Sequence, residues 1–251
     1  MKRVIILSIT LLLFVSGAMA QEQTSSNTFF KDMSTRDYNR IHLGFNPMNI
    51  RWQDNADANF KLCPLSKSVS VGYLHGSNLV ESLPLYIEYG ASFQYSFGKS
   101  NDEKKYGSGT NYDVNTVKMY SFNVPVNISL RLGFKNNKIG IFPYAGLNMR
   151  YNVAGNIEKF KGAIIGNGFG AMGGSHTTTY KLFDSSDDKY AMGEKALNRF
   201  QLGINAGVGF TFGKFYVGAG YTADVTKIAN NAKREYVGSL GVVNISVGLS
   251  F

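Results

Sequence analysis

Cysteine occurs once, at Cys63, so no disulfide can form within this chain in any redox compartment. Charged residues make up only 17% of the sequence, and there are three histidines: His42, His75 and His176. Outside the N-terminus no run reaches the roughly 18 apolar residues that a spanning helix needs, which excludes a bundle of membrane helices. Glycine is abundant, at 28 of 251 residues, but has no three-residue period, so a collagen-like fibre is excluded. An aromatic content of 14% argues against disorder. The mean hydropathy of −0.12 is that of a soluble protein, yet the charges that would keep a soluble surface wet are scarce.

Residues 1–20 have the layout of an export signal. Lys2 and Arg3 are followed by an apolar stretch over 4–15, and Ala18 and Ala20 supply small residues at −3 and −1 of a cleavage site before Gln21. No cysteine follows that site, so a lipoprotein anchor is not expected. Removing Lys2 and Arg3 lowers the net charge from +9 to +7. The remaining lysines and arginines are scattered rather than clustered. That favours a surface beside anionic lipid head groups over a nucleic-acid site. The expected organisation is a signal peptide (1–20), a flexible periplasmic segment (21–36) and one domain (37–251).

The strongest signal is strict two-residue alternation, which sorts side chains onto the two faces of a strand. From Phe200 to Phe212 every even position is apolar, and the odd positions are Gln201, Gly203, Asn205, Gly207, Gly209 and Thr211. The same alternation runs over 83–97, 120–134, 139–153, 215–225 and 243–251, with two weaker strands at 41–45 and 69–73. That makes eight strands. Several exceed the about 9–11 residues that a membrane strand needs. The polar face consists mostly of Gly, Ser, Asn, Thr and Gln, which suit the narrow interior of a closed barrel. The oily face then meets lipid, and closure leaves no unpaired edge in hydrocarbon. The expected fold is all-β: an eight-stranded antiparallel up-and-down transmembrane β-barrel. Connections alternate long and short, as in outer-membrane barrels with tight periplasmic turns and longer external loops. Both termini are then periplasmic. Aromatic girdles are expected at Phe134, Phe212, Phe215 and Phe251 on one side, and at Phe97, Tyr120, Tyr151, Phe200 and Tyr236 on the other. Pro125 removes a ladder hydrogen bond, so a bulge or a missing bond is expected in its strand. The alternate residues Ile245, Val247, Leu249 and Phe251 have the form of a C-terminal sorting signal, read by the barrel-assembly machinery during insertion.

Segments 83–90 (LPLYIEYG), 122–131 (FNVPVNISLR), 142–147 (FPYAGL) and 198–209 (NRFQLGINAGVG) carry a resemblance. The chain resembles the small outer-membrane β-barrel family of Bacteroidota, often labelled "porin family". The resemblance covers about residues 37–251 and implies an eight-stranded barrel at the outer membrane. It brings no catalytic residue.

Among local motifs, 168–173 matches G-x-G-x-x-G but no helical pattern follows, so it reads as a glycine-rich loop tip rather than a nucleotide site. The 44-residue connection 155–198 holds Asp184, Asp187 and Asp188, which lack the spacing of a calcium loop and read as solvated. Neither metal nor cofactor is expected. Glu88, Arg131, Arg150 and Asp224 all fall on the inward parity, where charges must pair. A Glu88–Arg131 ion pair plugging the lumen is expected. The function expected is a structural or surface-binding role through the external loops, with outer-membrane lipid and lipopolysaccharide as surroundings and no nucleic acid. Two alternatives are a narrow channel for small or apolar solutes and a lipid A-modifying enzyme using His176 beside Ser175.

Overall fold

A computed structural model describes residues 37–52, 67–80, 83–106, 109–134, 139–165, 172–185, 196–230 and 237–251. Residues 1–36, Cys63, Asp187, Asp188, Tyr236 and most of the 168–173 motif lie outside these, as does the Phe134 side chain.

The strands are β1 Tyr38–Phe45, β2 Met48–Trp52, β3 Lys67–Asn78, β4 Leu85–Tyr106, β5 Gly109–Leu130, β6 Leu132–Phe134, β7 Ile139–Ile165, β8 Met172–Lys181, β9 Phe200–Phe212, β10 Phe215–Asp224, β11 Ala229–Asn230 and β12 Val237–Ser250. Eight of them form a ring in the order β1-β3-β4-β5-β7-β9-β10-β12, and β12 pairs back onto β1 from Arg40↔Ser250 to Phe45↔Ile245. Every pairing is antiparallel between ring neighbours. This is a closed eight-stranded barrel. β2 and β6 prolong β1 and β5 across short breaks, and β8 and β11 extend the wall above the ring.

Burial follows the alternation. On β9 the polar and glycine positions are mostly buried, while the apolar set from Phe200 to Phe212 faces outward. Large apolar side chains stand exposed on all eight ring strands, among them Leu43, Val71, Phe93, Phe122, Leu147, Ile204, Val217 and Val247. The 13 residues of β9 span about 40 Å at ~3.3 Å per residue, or about 30 Å along the barrel axis at the usual strand tilt.

The end that carries residues 39 and 251, joined by two backbone hydrogen bonds, also carries the Gly213-Lys214 turn. Phe212 pairs directly with Phe215, so the turn has two residues, and Gly213 at φ 61° supplies the positive φ that a right-twisted hairpin requires. At the opposite end the strands run on. Segments 98–116 and 155–198 are expected as loops, but β4 and β5 stay paired out to Tyr106↔Gly109, and β7 continues to Ile165 with β8 returning to Lys181. Alternation of charged and polar residues carries no inside–outside contrast, so these extensions do not register as strands.

Two irregularities have local causes. The β4–β5 ladder breaks opposite Val124 and Pro125 and resumes in the same register, from Tyr89↔Val126 to Ser92↔Asn123. Proline's missing N–H accounts for the gap. Between Tyr120 and Ser121 the β7 partner jumps from Ala154 to Asn152, a bulge that leaves Val153 and Ala154 both exposed.

Candidate functional site: the barrel lumen

Three layers fill the lumen. At the turn end lies an aromatic and ionic plug. Tyr38, Tyr86 and Phe142 are buried against one another, with the Tyr38 ring 5.5 Å from Tyr86 and 6.1 Å from Phe142. Glu88, 1% exposed, accepts a hydrogen bond from the Tyr38 hydroxyl and sits 3.8 Å from Arg40 Nη2. The Arg40 guanidinium stacks 3.6 Å from the Tyr216 ring centre. The ion partner of Glu88 is therefore Arg40, and not Arg131 as the hairpin arrangement suggests. Glu88 pairs across the ladder with Asn127, whereas Arg131 N bonds to Pro84 O, four residues further toward the turns. That separation is about 13 Å of strand. Arg131 instead lies over the Tyr38 and Phe142 rings, at 5.0 and 5.3 Å.

Glycines on intervening strands make these contacts possible. Tyr38, Gly76 and Glu88 form one row across β1, β3 and β4, and a Cβ at Gly76 would stand 2.3 Å from the Tyr38 ring. With no side chain in the middle of the row, Tyr38 reaches across β3 to the carboxylate. The same device recurs where Tyr144 lies across Gly207 and Gly220, and where Asp224 passes over Gly203 on β9 to reach β7.

The middle layer is a polar belt. Arg150, 2% exposed, donates from Nη1 to Asp224 Oδ2 at 2.8 Å and from Nε to Asn123 Oδ1 at 3.0 Å. Asn123 donates to Gln94, Gln94 to Ser68 Oγ, and Ser68 Oγ to the Asn46 carbonyl. The relay thus circles from β10 through β7, β5, β4 and β3 to the end of β1. Beside it is a cavity of about 110 Å³, lined by Arg40, His42, Asn127, Asn205, Tyr144 and Tyr216 among others. Arg40 Nη2, Asn127 Oδ1 and Asn205 Oδ1 are buried there without a protein hydrogen-bond partner. Polar walls and that volume suit a few water molecules.

The third layer, at the hairpin end, is apolar. Met48, Val117, Met119, Ile157, Leu182, Phe183, Leu197, Ile228, Leu240 and Val242 form one buried cluster. Several come from segments expected as loops, where isolated apolar residues have no period to mark them. Tyr38 and Arg40 were readable by extending the β1 alternation back past Ile41, since 38, 40, 42 and 44 share the inward parity.

The histidines are dispersed. His42 lines the cavity, and His75 bonds to Asn39 at the turn end. His176 contacts Thr178 on exposed β8. Ser175 and His176 are consecutive strand residues and point to opposite faces, so they do not form a nucleophile–base pair. No group of three metal-ligating residues occurs among the described residues. Ile245, Val247, Leu249 and Phe251 lie on the outer face.

No family model and no curated protein matches the chain. Among solved structures it is similar to Ail, the attachment invasion locus protein of Yersinia pestis, crystallised with the heparin analogue sucrose octasulfate. That match has 10% identity and a TM-score of 0.31, over 86% of this chain and 99% of that one. For the Neisserial surface protein NspA the values are 14% and 0.36, over 86% and 96%. The N-terminal β-barrel domain of Pseudomonas aeruginosa OprF gives 11% and 0.25, over 84% and 97%. Overlap at these scores transfers no property, and the architecture rests on the chain's own strand pairing.

Proposed function

We propose that this chain is an integral outer-membrane β-barrel whose lumen is a sealed core and whose working surface is the set of extended hairpins at the external end. The observation that carries this reading is the apolar outer face of the closed ring. It runs unbroken by charge through the middle of all eight strands, a surface that water would not tolerate and a bilayer requires. Its height of about 30 Å suits the apolar band of such barrels. Aromatics rim it, with Tyr95, Phe97 and Tyr120 clustered at the hairpin end and Phe212, Phe215 and Phe251 at the turn end.

At the level of Phe97, register aligns Lys67, Phe97, Lys118, Asn156 and Lys181 in one row. Two exposed ammonium groups there, Lys67 and Lys118, suit the phosphates of lipopolysaccharide, and the third, Lys181, lies 3.7 Å from the Asp184 carboxylate. The export signal of 1–20, periplasmic termini and recognition of Ile245, Val247, Leu249 and Phe251 by the barrel-assembly machinery complete the reading. Kinship with the Bacteroidota family belongs to it as well.

The packed plug and the apolar cluster speak against a channel, and the separation of Ser175 from His176 speaks against lipid A chemistry. Fractionation of a Gram-negative host, with electrophoresis of unheated and boiled samples, tests the proposal. Recovery in the outer membrane with a heat-dependent mobility shift is expected. A soluble periplasmic product would refute it.

A further inference from the structure

The cavity in the lumen lies between the plug and the apolar cluster, at a level where every ring strand is described. Register places His42, Gly72, Ser92, Asn123 and Arg150 in one row across β1, β3, β4, β5 and β7. A Cβ at Gly72 would meet His42 Cε1, His42 Nε2 and Ser92 Cβ, each at 2.7 Å. The imidazole therefore leans over a bare glycine toward Ser92, as Tyr38 does over Gly76 toward Glu88. The far end of the row is Arg150, whose Nε and Nη1 are engaged by Asn123 and Asp224.

The wall of this cavity is rich in donors that the protein does not use. The His42 ring has no hydrogen-bond partner among the described residues. Arg40, on the same face of β1, keeps Nη2 buried with no acceptor. Two guanidinium groups and one carboxylate, that of Glu88, stand on the wall, and Asp224, the counter-ion of Arg150, does not. Glu88 is already occupied by Tyr38 and Arg40. More cationic N–H than carboxylate oxygen thus faces the cavity.

We propose that the cavity binds one small monovalent anion, of the class of chloride, between the His42 ring, Ser92 Oγ and the guanidinium groups of Arg40 and Arg150. A neutral imidazole supplies one N–H, a serine hydroxyl one O–H and a guanidinium several, so the ion replaces its water with fixed donors. The two guanidinium groups disfavour a cation. A volume of about 110 Å³ takes a halide with a few waters, and those waters serve Asn127 Oδ1 and Asn205 Oδ1, acceptors that an anion cannot satisfy. Carried by the inside of the closed ring, this inference goes beyond the surface role proposed above and does not depend on the membrane address.

The test uses the purified, isotope-labelled full chain refolded in micelles at increasing sodium chloride, with sodium gluconate holding the ionic strength constant. In nuclear magnetic resonance spectra, the amides of Gly72, Ser92 and Asn123 and the ring of His42 should shift along one saturable curve, which Gly213 at the turn does not follow. His42→Leu and Ser92→Ala should each raise the half-saturating chloride concentration by about tenfold, the loss of one hydrogen bond to a charged group, and keep the heat-dependent mobility shift. Val71→Ala on the outer face should leave the curve where it is. Shifts that are absent, or that stay linear in chloride and so mean an adventitious ion only, overturn the proposal. So does an unchanged curve in Ser92→Ala, which removes a single hydroxyl and is the variant least able to disturb the fold.

Discussion

Glu88 shows what a single charge costs in this lumen. It is held by Arg40 and Tyr38 in a ring-lined plug with almost no exposure, so removing its charge strands a buried guanidinium. Glu88→Leu should destabilise the folded barrel by about 3 kcal/mol or more, measured by urea unfolding in lipid vesicles. Glu88→Leu combined with Arg40→Leu should recover much of that loss, because no unpaired charge remains. Gly76 serves the same pair through having no side chain. Gly76→Val drives Tyr38 off the carboxylate and should cost about 1–3 kcal/mol, whereas Val71→Ala on the outer face of the same strand should cost less. Inward parity puts Glu88 in the lumen from alternation alone. Which cation it meets is set by a row running through Gly76 to a neighbouring strand, and hairpin reasoning does not reach that far.

At the scale of elements, β7 has two environments along its length. Its lower part alternates between lipid and lumen, and its upper part lies in a sheet flanked by β5 and β8. The transition comes at the Val153–Ala154 bulge, beside the point where β9 ends its pairing at Phe200. Replacing residues 160–177 by an Asn-Gly turn joins Lys159 to Thr178, positions that already face each other. The buried Ile157, Leu182 and Phe183 of the apolar cluster survive that deletion. The shortened chain should still insert and show the mobility shift; failure would mean that the upper sheet takes part in folding the ring.

For the whole molecule, two predictions follow from the filled and inverted cross-section. Planar bilayers containing the purified chain should give flat current traces, because the lumen is blocked by Tyr38, Tyr86, Phe142 and Arg40 below and by the apolar cluster above. Discrete steps of conductance would show that the plug opens. On the outside, Ile204→Arg places a charge on the lipid face in the interior of β9 and should cost about 2–4 kcal/mol of folding free energy in vesicles.

Alternation by itself determined the barrel: the strand type, the face turned to lipid, the eight-fold count and the ends joined by tight turns. It could do so because lipid and lumen impose opposite chemistry on successive residues, and that contrast is local in sequence. The low charge and near-zero mean hydropathy are the average of those two faces. Tertiary structure decided everything that depends on closure and register. Pairing of β12 with β1 brings Arg40 into the plug, register sets Arg150 opposite Asn123 at the start of the relay to Gln94, and glycine gaps let Tyr38 and Asp224 bridge a whole strand. The extended hairpins, too, emerge only in three dimensions. Their sequence alternates charged with polar residues rather than apolar with polar, so no period announces them.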